Sequence, residues 1–189
     1  MIEEGAGGGG KSIRGETMNR FKLRFPERDI AKWSARYDYM PNPTIEDEIV
    51  PLVRKTGYLT KPDFLTICRW KTPRSQSRCA SNTPEFIESI SKVALSTSSE
   101  RLRIEIWTLL NGVDWPTAST LLFWLHKEQY PILDFRALWS LGYANPPKYD
   151  FAFWSDYVDH CRRLARKCGV TVRTLDRALW QYSSKKQRR

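Results

Sequence analysis

The residues best suited to chemistry lie in two short stretches between residues 110 and 138. The first, Leu-Asn-Gly-Val-Asp-Trp-Pro-Thr-Ala-Ser over residues 110–119, is typical of a helix end, a tight glycine-containing turn and the start of a second helix. Unpaired N–H groups and the positive end of the helix dipole meet at such a start, so an anion can bind there without a cationic side chain. The turn therefore predicts a phosphate site.

The second stretch, Tyr-Pro-Ile-Leu-Asp-Phe-Arg-Ala-Leu over residues 130–138, places Asp134 at the head of another predicted helix. Apolar neighbours hold its carboxylate partly away from water, which raises the pKa of an aspartate, whereas a helix N-terminus lowers it. The sequence leaves the direction of the shift open. Such a carboxylate can stabilise positive charge or act as a base, or it can serve only as an N-cap worth about 1 kcal/mol.

Hydrophobic spacing predicts the elements that must position these two stretches. Apolar residues recur at helical intervals through most of the chain, and the period-two alternation of strands is hardly seen. We therefore expect an all-α fold of about eight short helices. The predicted helix boundaries rest on N-caps at Thr44, Thr83, Asp114 and Asp134, a proline start at Pro62, and glycine stops at Gly57, Gly112 and Gly169.

The length of 189 residues, 41% of them hydrophobic, suits one compact domain with a buried core. We predict a flexible Gly-rich tail over residues 1–18, a helical domain over residues 19–184 and a basic tail over residues 185–189. Residues 5–12 fit the phosphate-loop pattern GxxxxGKS, but too few residues precede them to form the strand that such a loop must follow. Nucleotide binding is not expected there.

Composition also excludes several protein classes. No apolar run approaches the roughly 18 residues of a membrane helix, and the N-terminus lacks a secretory signal. The sequence thus predicts an intracellular, cytoplasmic protein with no membrane partner, nucleoid-associated or nuclear if it binds DNA. Four scattered cysteines and two histidines predict reduced thiols, no metal site and no cofactor.

The formal net charge of +10 is concentrated near the C-terminus. Residues 160–189 carry ten basic residues against the single acid Asp176, which makes nucleic acid the first partner to consider. A solvated helix face with a basic tail is the alternative. A smaller basic patch is interleaved with Phe64 and Trp70, and it consists of Lys61, Arg69, Lys71, Arg74 and Arg78.

Residues 100–141 resemble the helix-hairpin-helix DNA glycosylases of base excision repair. Members of that family have a hairpin of the type Leu-Pro-Gly-Val-Gly, an Ala-containing helix and, about twenty residues later, a catalytic aspartate in a segment such as Ile-Leu-Asp. The matching residues here are Leu110, Gly112, Val113, Thr117, Ala118 and then Ile132-Leu133-Asp134.

The resemblance implies a compact helical fold with a helix-hairpin-helix motif and hydrolysis of the N-glycosidic bond of a damaged or modified base in DNA. Asp134 would be the catalytic residue, stabilising the oxocarbenium-like sugar of a flipped-out nucleotide and helping to activate water. The implied DNA-binding residues are Asn111, Gly112, Val113, Asp114, Trp115, Thr117 and Arg136. Candidates to sandwich the base are Trp107, Phe123 and Trp139, for which core packing is the alternative role.

Three departures from the family pattern limit this expectation. Asp114 replaces the second hairpin glycine and brings a negative charge to the phosphate site. Pro116 stands where lyase-type members carry their Schiff-base lysine, so we expect a monofunctional enzyme. Cys161 and Cys168 have the spacing of the first pair of a family iron–sulfur cluster, but no further cysteines follow, so no cluster is expected.

The alternative to an enzyme is a non-catalytic helix-hairpin-helix module. In that reading the turn and the basic C-terminus hold nucleic acid or a partner protein, and Asp134 is only structural. A glycosylase needs Asp134 exposed in a cleft beside the turn, on the side of the basic residues, whereas a buried or outward-turned Asp134 favours the non-catalytic module. The sequence favours no particular oligomeric state.

Overall fold

The computed structural model describes residues 21–38 and 42–187. The predicted N-terminal tail and the phosphate-loop pattern lie outside the described residues. Within them the chain forms ten α-helices and no strand, which confirms the all-α prediction. In chain order the helices are α1 (Ile30–Ser34), α2 (Val50–Thr56), α3 (Lys61–Lys71), α4 (Gln76–Ala80), α5 (Pro84–Ser96), α6 (Glu100–Glu105), α7 (Trp115–Leu125), α8 (Phe135–Ser140), α9 (Phe151–Lys167) and α10 (Val172–Lys186). Short 3-10 helices at Glu27–Asp29, Pro73–Ser75 and Ile106–Leu109 and a π-helical turn at Thr44–Ile49 join them.

Side-chain caps define most of the helix starts. A Ser, Thr or Asp side chain accepts a hydrogen bond from a backbone N–H of the first turn, which satisfies one of the four donors that every helix start leaves unpaired. The capping residues are Thr60, Thr83, Ser99, Asp114, Asp134, Asp150 and Thr171. These contacts explain why the predicted boundaries of α3, α5, α7, α8 and α9 agree with the observed ones to within about two residues.

The predicted helix at residues 44–55 differs in detail from the observed one. Thr44 lies inside the π-helical turn instead of capping a helix, and the Oδ1 atom of Asn42 accepts from the N–H of Ile45 at 3.3 Å. The α-helical part starts only at Val50 and stops at Gly57, as predicted; with a φ of +79°, Gly57 ends it in the left-handed conformation. The prediction of an N-cap at Thr44 was therefore wrong.

The helices pack in two groups. In the first, α1, α8 and α9 pack against α10, which buries Val172, Leu175 and Leu179. In the second, α3 and α7 contact each other, α3 also packs on α4 and α5, and α7 on α2 and α6. Contacts between α6 and α9 join the groups, and one continuous apolar core runs through both.

The C-terminal helix is longer than the sequence suggested. α10 continues to Lys186, so Lys185 and Lys186 are helical and do not belong to the predicted basic tail. None of the helices in the described part of the chain has both the length and the apolar character needed to cross a membrane.

Candidate functional site

The extended segment 130–134, between α7 and α8, positions Asp134. Three helices anchor its buried backbone through side chains, as buried peptide groups require. The N–H of Ile132 donates to Oδ1 of Asp176 on α10 at 2.9 Å, and the N–H of Leu133 donates to Oγ of Ser119 on α7 at 2.8 Å. The hydroxyl of Tyr157 on α9 donates to the carbonyl of Ile132 at 2.8 Å. The segment is thereby fixed relative to both helix groups.

Asp134 uses its two carboxylate oxygens differently. Oδ1 accepts from the N–H of Arg136 at 2.8 Å and so caps α8. Oδ2 accepts from the ammonium of Lys71, at the end of α3, at 2.5 Å. The side chains of Lys71 and Asp134 are only 12% and 16% exposed. The carboxylate is thus both an N-cap and one half of an ion pair that joins α3 to α8.

The surroundings of Asp134 settle the direction of its pKa shift. Burial alone would raise the pKa, because it disfavours the charged form. The positive charge and hydrogen bond of Lys71, with the N–H of Arg136, outweigh burial, and the pKa of Asp134 lies below its ordinary value. Asp134 is therefore ionised at neutral pH.

Asp134 lines a cavity of about 170 Å³ between α3, α8 and α10. Its walls combine aromatic rings with charged groups: Tyr37, Trp70, Lys71, Ile132, Asp134, Ala137, Asp176 and Trp180. A neighbouring cavity of about 320 Å³ shares Tyr37, Trp70, Ile132 and Asp176 with the first. An aromatic cavity with a few convergent polar groups is the usual form of a small-molecule or base pocket.

The turn at residues 110–114 packs against α4 and against Asn82, two residues after the end of that helix. Gly112 has a φ of +81°, the predicted left-handed conformation, and a Cβ atom there would lie 2.8 Å from Sγ and 2.9 Å from the backbone N of Cys79. The N–H of Asn111 donates to Oδ1 of Asn82 at 2.8 Å. Glycine is therefore required here both for its conformation and for the close approach.

Several amides of the turn are engaged within the protein. The N–H of Val113 donates to the carbonyl of Leu110 at 3.1 Å, and the N–H of Thr117 donates to Oδ1 of Asp114 at 3.0 Å. Pro116 has no N–H. Within the described part of the chain no acceptor is seen for the N–H groups of Gly112, Asp114 and Trp115, which lie beside the exposed carboxylate of Asp114.

Two features relate the turn to Asp134. Tyr149 has a raised pKa, mainly because it is partly buried and also because the charges of Asp134 and Asp114 both act on its hydroxyl. The chain from α3 to α4 also connects Asp134 to the turn. Lys71 pairs with Asp134, and the Cβ atom of Arg78 would lie 3.1 Å from a Cβ atom at Gly112. We call residues 69–78 the basic segment; its Arg69, Arg74 and Arg78 are exposed.

The remaining predicted site residues are spread over the structure. Trp107 is fully buried in the core, Phe123 lines the neighbouring cavity, and Trp139 stacks on Tyr182. None of these three is among the described residues that line the Asp134 cavity. Arg136 is not a lining residue either, but its guanidinium lies 5.3 Å from the ring centre of Trp180, which is one.

The basic C-terminus is partly neutralised by ion pairs. Four of its basic residues pair with acids elsewhere in the chain: Arg162 with Glu128, Lys167 with Glu27, Arg173 with Glu46 and Lys185 with Asp38. The basic segment is the better-placed cationic surface, because it adjoins both the cavity and the turn.

Comparison with known proteins adds no assignment. No family model, curated protein or solved structure matches the chain. The function must therefore be argued from the site itself. Four cavity residues that the sequence analysis did not assign to the site come from helices distant in sequence from Asp134: Trp70 and Lys71 on α3, and Asp176 and Trp180 on α10.

Proposed function

We propose that the protein is a DNA glycosylase-like enzyme that hydrolyses the N-glycosidic bond of a damaged or modified base. The observation that carries this proposal is an ionised Asp134 in the wall of an aromatic cavity, beside a basic segment that reaches the turn at residues 110–114. The side chain of Asp134 is only 16% exposed, which by itself favours the non-catalytic module, and its cap and ion pair are both structural contacts. A purely structural carboxylate, however, does not require a cavity beside it, and Asp134 lines one.

The geometry suits a nucleotide rotated out of a duplex. Its base would enter the cavity between the rings of Trp70 and Trp180, which brings the anomeric carbon of the sugar towards Asp134. As the bond to the base breaks, positive charge develops on the sugar. A fixed carboxylate in a site shielded from water stabilises that charge, an effect worth about 10²- to 10³-fold in rate.

The phosphate backbone would lie across the basic segment and the turn. Arginine side chains bind phosphates as bidentate donors and set the position of the protein on DNA without reading its sequence. The free amides at Gly112 and Trp115 would supply a further phosphate contact. Arg136, whose guanidinium lies beside the ring of Trp180, is placed to contact the strand beside the extruded nucleotide.

A lesion panel tests this proposal directly. Excess protein is incubated with duplexes that each carry one modified base, and free base and alkali-labile abasic sites are measured against undamaged duplex. We expect release from at least one class of modified base and none from undamaged DNA. Duplex binding without release from any substrate would instead establish the non-catalytic module.

A second candidate activity is strand cleavage by an amine, and the position of Lys71 favours it. Pro116 removes the family's usual lysine, but the Nζ atom of Lys71 lies 2.5 Å from Asp134 at the same cavity. Borohydride would reduce a Schiff base between Lys71 and the sugar to a stable protein–DNA adduct. We expect no adduct, because Lys71 is held by Asp134 as an ammonium, which has no lone pair to attack the sugar. An adduct formed by the wild type and lost in Lys71→Met would instead establish the lyase.

The charge of Asp114 leads to a separate prediction for DNA affinity. Asp114→Asn keeps an oxygen to accept from Thr117 but removes a negative charge from the turn. We expect duplex binding at low salt to tighten by roughly 3- to 10-fold. Fluorescence anisotropy measures the change, with Glu48→Gln, an exposed charge on another element, as the matched control. Equal affinities for Asp114→Asn and the wild type would place DNA away from the turn.

A further inference from the structure

A second carboxyl group, that of Asp176, lies in the wall of the Asp134 cavity. Its residue is buried on α10, and Oδ1 is fixed by the N–H of Ile132 at 2.9 Å. Asp176 also lines the neighbouring cavity, so it stands where the two meet. Accepting from the Ile132 N–H would account for the position of Oδ1. The side chain of asparagine could accept that hydrogen bond equally well without burying an ionisable group.

The groups that act on Asp176 come from several elements. They are Lys71 on α3, Asp134 before α8, Tyr157 and Cys161 on α9, and Arg173 on its own helix, with Arg177 also beside it in the neighbouring cavity. Lys71 forms its ion pair with Asp134, and Arg173 with Glu46 at 2.6 Å. Neither cation is therefore bound to Asp176, although both act on it from a distance.

The two carboxyl groups of the cavity consequently differ in protonation. Burial raises the pKa of Asp176 to about 7, against the opposing effects of the Ile132 N–H and Lys71, whereas the pKa of Asp134 is lowered. At neutral pH one group is ionised and the other carries its proton in about half of the molecules. Two carboxyl groups in one site with pKa values pushed apart are the usual arrangement of a charge-stabilising base and a general acid.

We propose that Asp176 is the general acid of the site, delivering its proton to the base as the base leaves, while Asp134 remains ionised beside the sugar. This inference rests on the proposed glycosylase function and deepens it. Both residues line the cavity: Asp176 lies on α10, as does Trp180, against which the base would bind, and Asp134 lies at the start of α8.

The protons of the proposed reaction balance over one turnover. The N-glycosidic bond breaks with its electron pair passing to the base, and the proton of Asp176 is transferred to a ring nitrogen or carbonyl oxygen of that base. Water then adds to the anomeric carbon, and the proton it loses returns to the Asp176 carboxylate through solvent. The products are the neutral free base and an abasic sugar.

The role of Asp176 predicts the class of substrate. A neutral base leaves poorly as an anion and gains from protonation, so it requires the acid. A base that is already cationic through N-alkylation leaves as a neutral molecule and needs no proton. We therefore infer that the substrate is a neutral modified base with an acceptor atom, such as a deaminated purine.

The test compares two duplexes in single-turnover assays, one with hypoxanthine and one with 7-methylguanine. On hypoxanthine, wild-type release should decline as the pH rises through about 7. Asp176→Asn should release hypoxanthine about 10²-fold more slowly at pH 6, with no decline up to pH 8. Release of the cationic base should depend on Asp176 far less than release of hypoxanthine does, and the circular dichroism spectrum and melting temperature of the variant show that it is folded.

The outcomes separate this inference from the function on which it rests. A wild type that releases only the cationic base, or a variant that retains the wild-type rate and pH profile on hypoxanthine, overturns the role of Asp176 and leaves the glycosylase intact. A wild type that releases neither base here nor any from the lesion panel overturns both. If Asp176 served only in folding, Asp176→Asn would lower the melting temperature, and wild-type release of hypoxanthine would not decline as the pH rises through about 7. That result would also overturn the proposal.

Discussion

Asp134→Asn is expected to slow base release by about 10²- to 10³-fold, the range found when one charge-stabilising group is removed from an active site. Asparagine keeps the volume of the side chain and an oxygen for the N–H of Arg136, so α8 stays capped. What is lost is the negative charge that faces the developing cation of the sugar. Single-turnover release from the best substrate of the panel measures the effect, and the DNA dissociation constant should change little.

The matched control is Asp63→Asn, which makes the same replacement on α3 outside the cavity. It should release base at the wild-type rate, and equal release by Asp134→Asn would remove the catalytic role of Asp134. Because Asp134→Asn also leaves the mostly buried ammonium of Lys71 without its carboxylate, we expect a loss of about 2–3 kcal/mol in the free energy of unfolding. Assays therefore belong well below the melting temperature of the variant.

Acid should weaken the fold through the same ion pair. The pKa of Asp134 is lower in the folded protein than in the unfolded chain, so its contribution to stability is complete above the ordinary pKa of about 4. That contribution is lost as the pH falls through the lower folded value. Lys71→Met/Asp134→Asn, which lacks both charges, should not show this part of the pH dependence.

Gly112→Ala should be strongly destabilising, by about 2–5 kcal/mol. An alanine must adopt a φ of +81°, and its Cβ would meet the backbone N of Cys79 at 2.9 Å, a contact that cannot relax by rotating a side chain. Either the turn or α4 has to move. Urea denaturation followed by circular dichroism gives the free energy of unfolding.

Gly57→Ala separates the cost of the positive φ from the cost of the close contact with Cys79. Gly57 has nearly the same φ, +79°, but a Cβ there would meet nothing within 4 Å. It should therefore lose only the conformational part, about 1–2 kcal/mol. Similar losses at the two glycines would mean that the turn at residues 110–114 does not depend on its packing against α4.

The local part of this structure could be predicted from the sequence. The caps at Asp114 and Asp134 and the left-handed glycines at 57 and 112 act through neighbouring residues, so their types and spacing are sufficient. Asp134 was also singled out, through its place at a helix start after an apolar segment and through the family resemblance.

The chemistry around Asp134 depends on contacts that local patterns do not contain. Lys71 lies 63 residues away in sequence, and Asp176 is 44 residues from the amide it binds. The sequence alone assigns Lys71 to a basic patch and gives no sign that it pairs with Asp134. Asp176 did leave a signal, because it is the only acid in residues 160–189 and shares a helix face with Val172 and Leu179, which are buried.

The anchoring of segment 130–134 has a consequence for how the protein would respond to heat. The amides of Ile132 and Leu133 are bonded to side chains from two different helices, so the segment can move away only if its contacts with both helices break. Partial opening of a surface loop cannot displace Asp134 on its own. The arrangement of the two carboxyl groups should persist unchanged until the molecule melts as a whole, and warming should accelerate the reaction steadily up to that temperature.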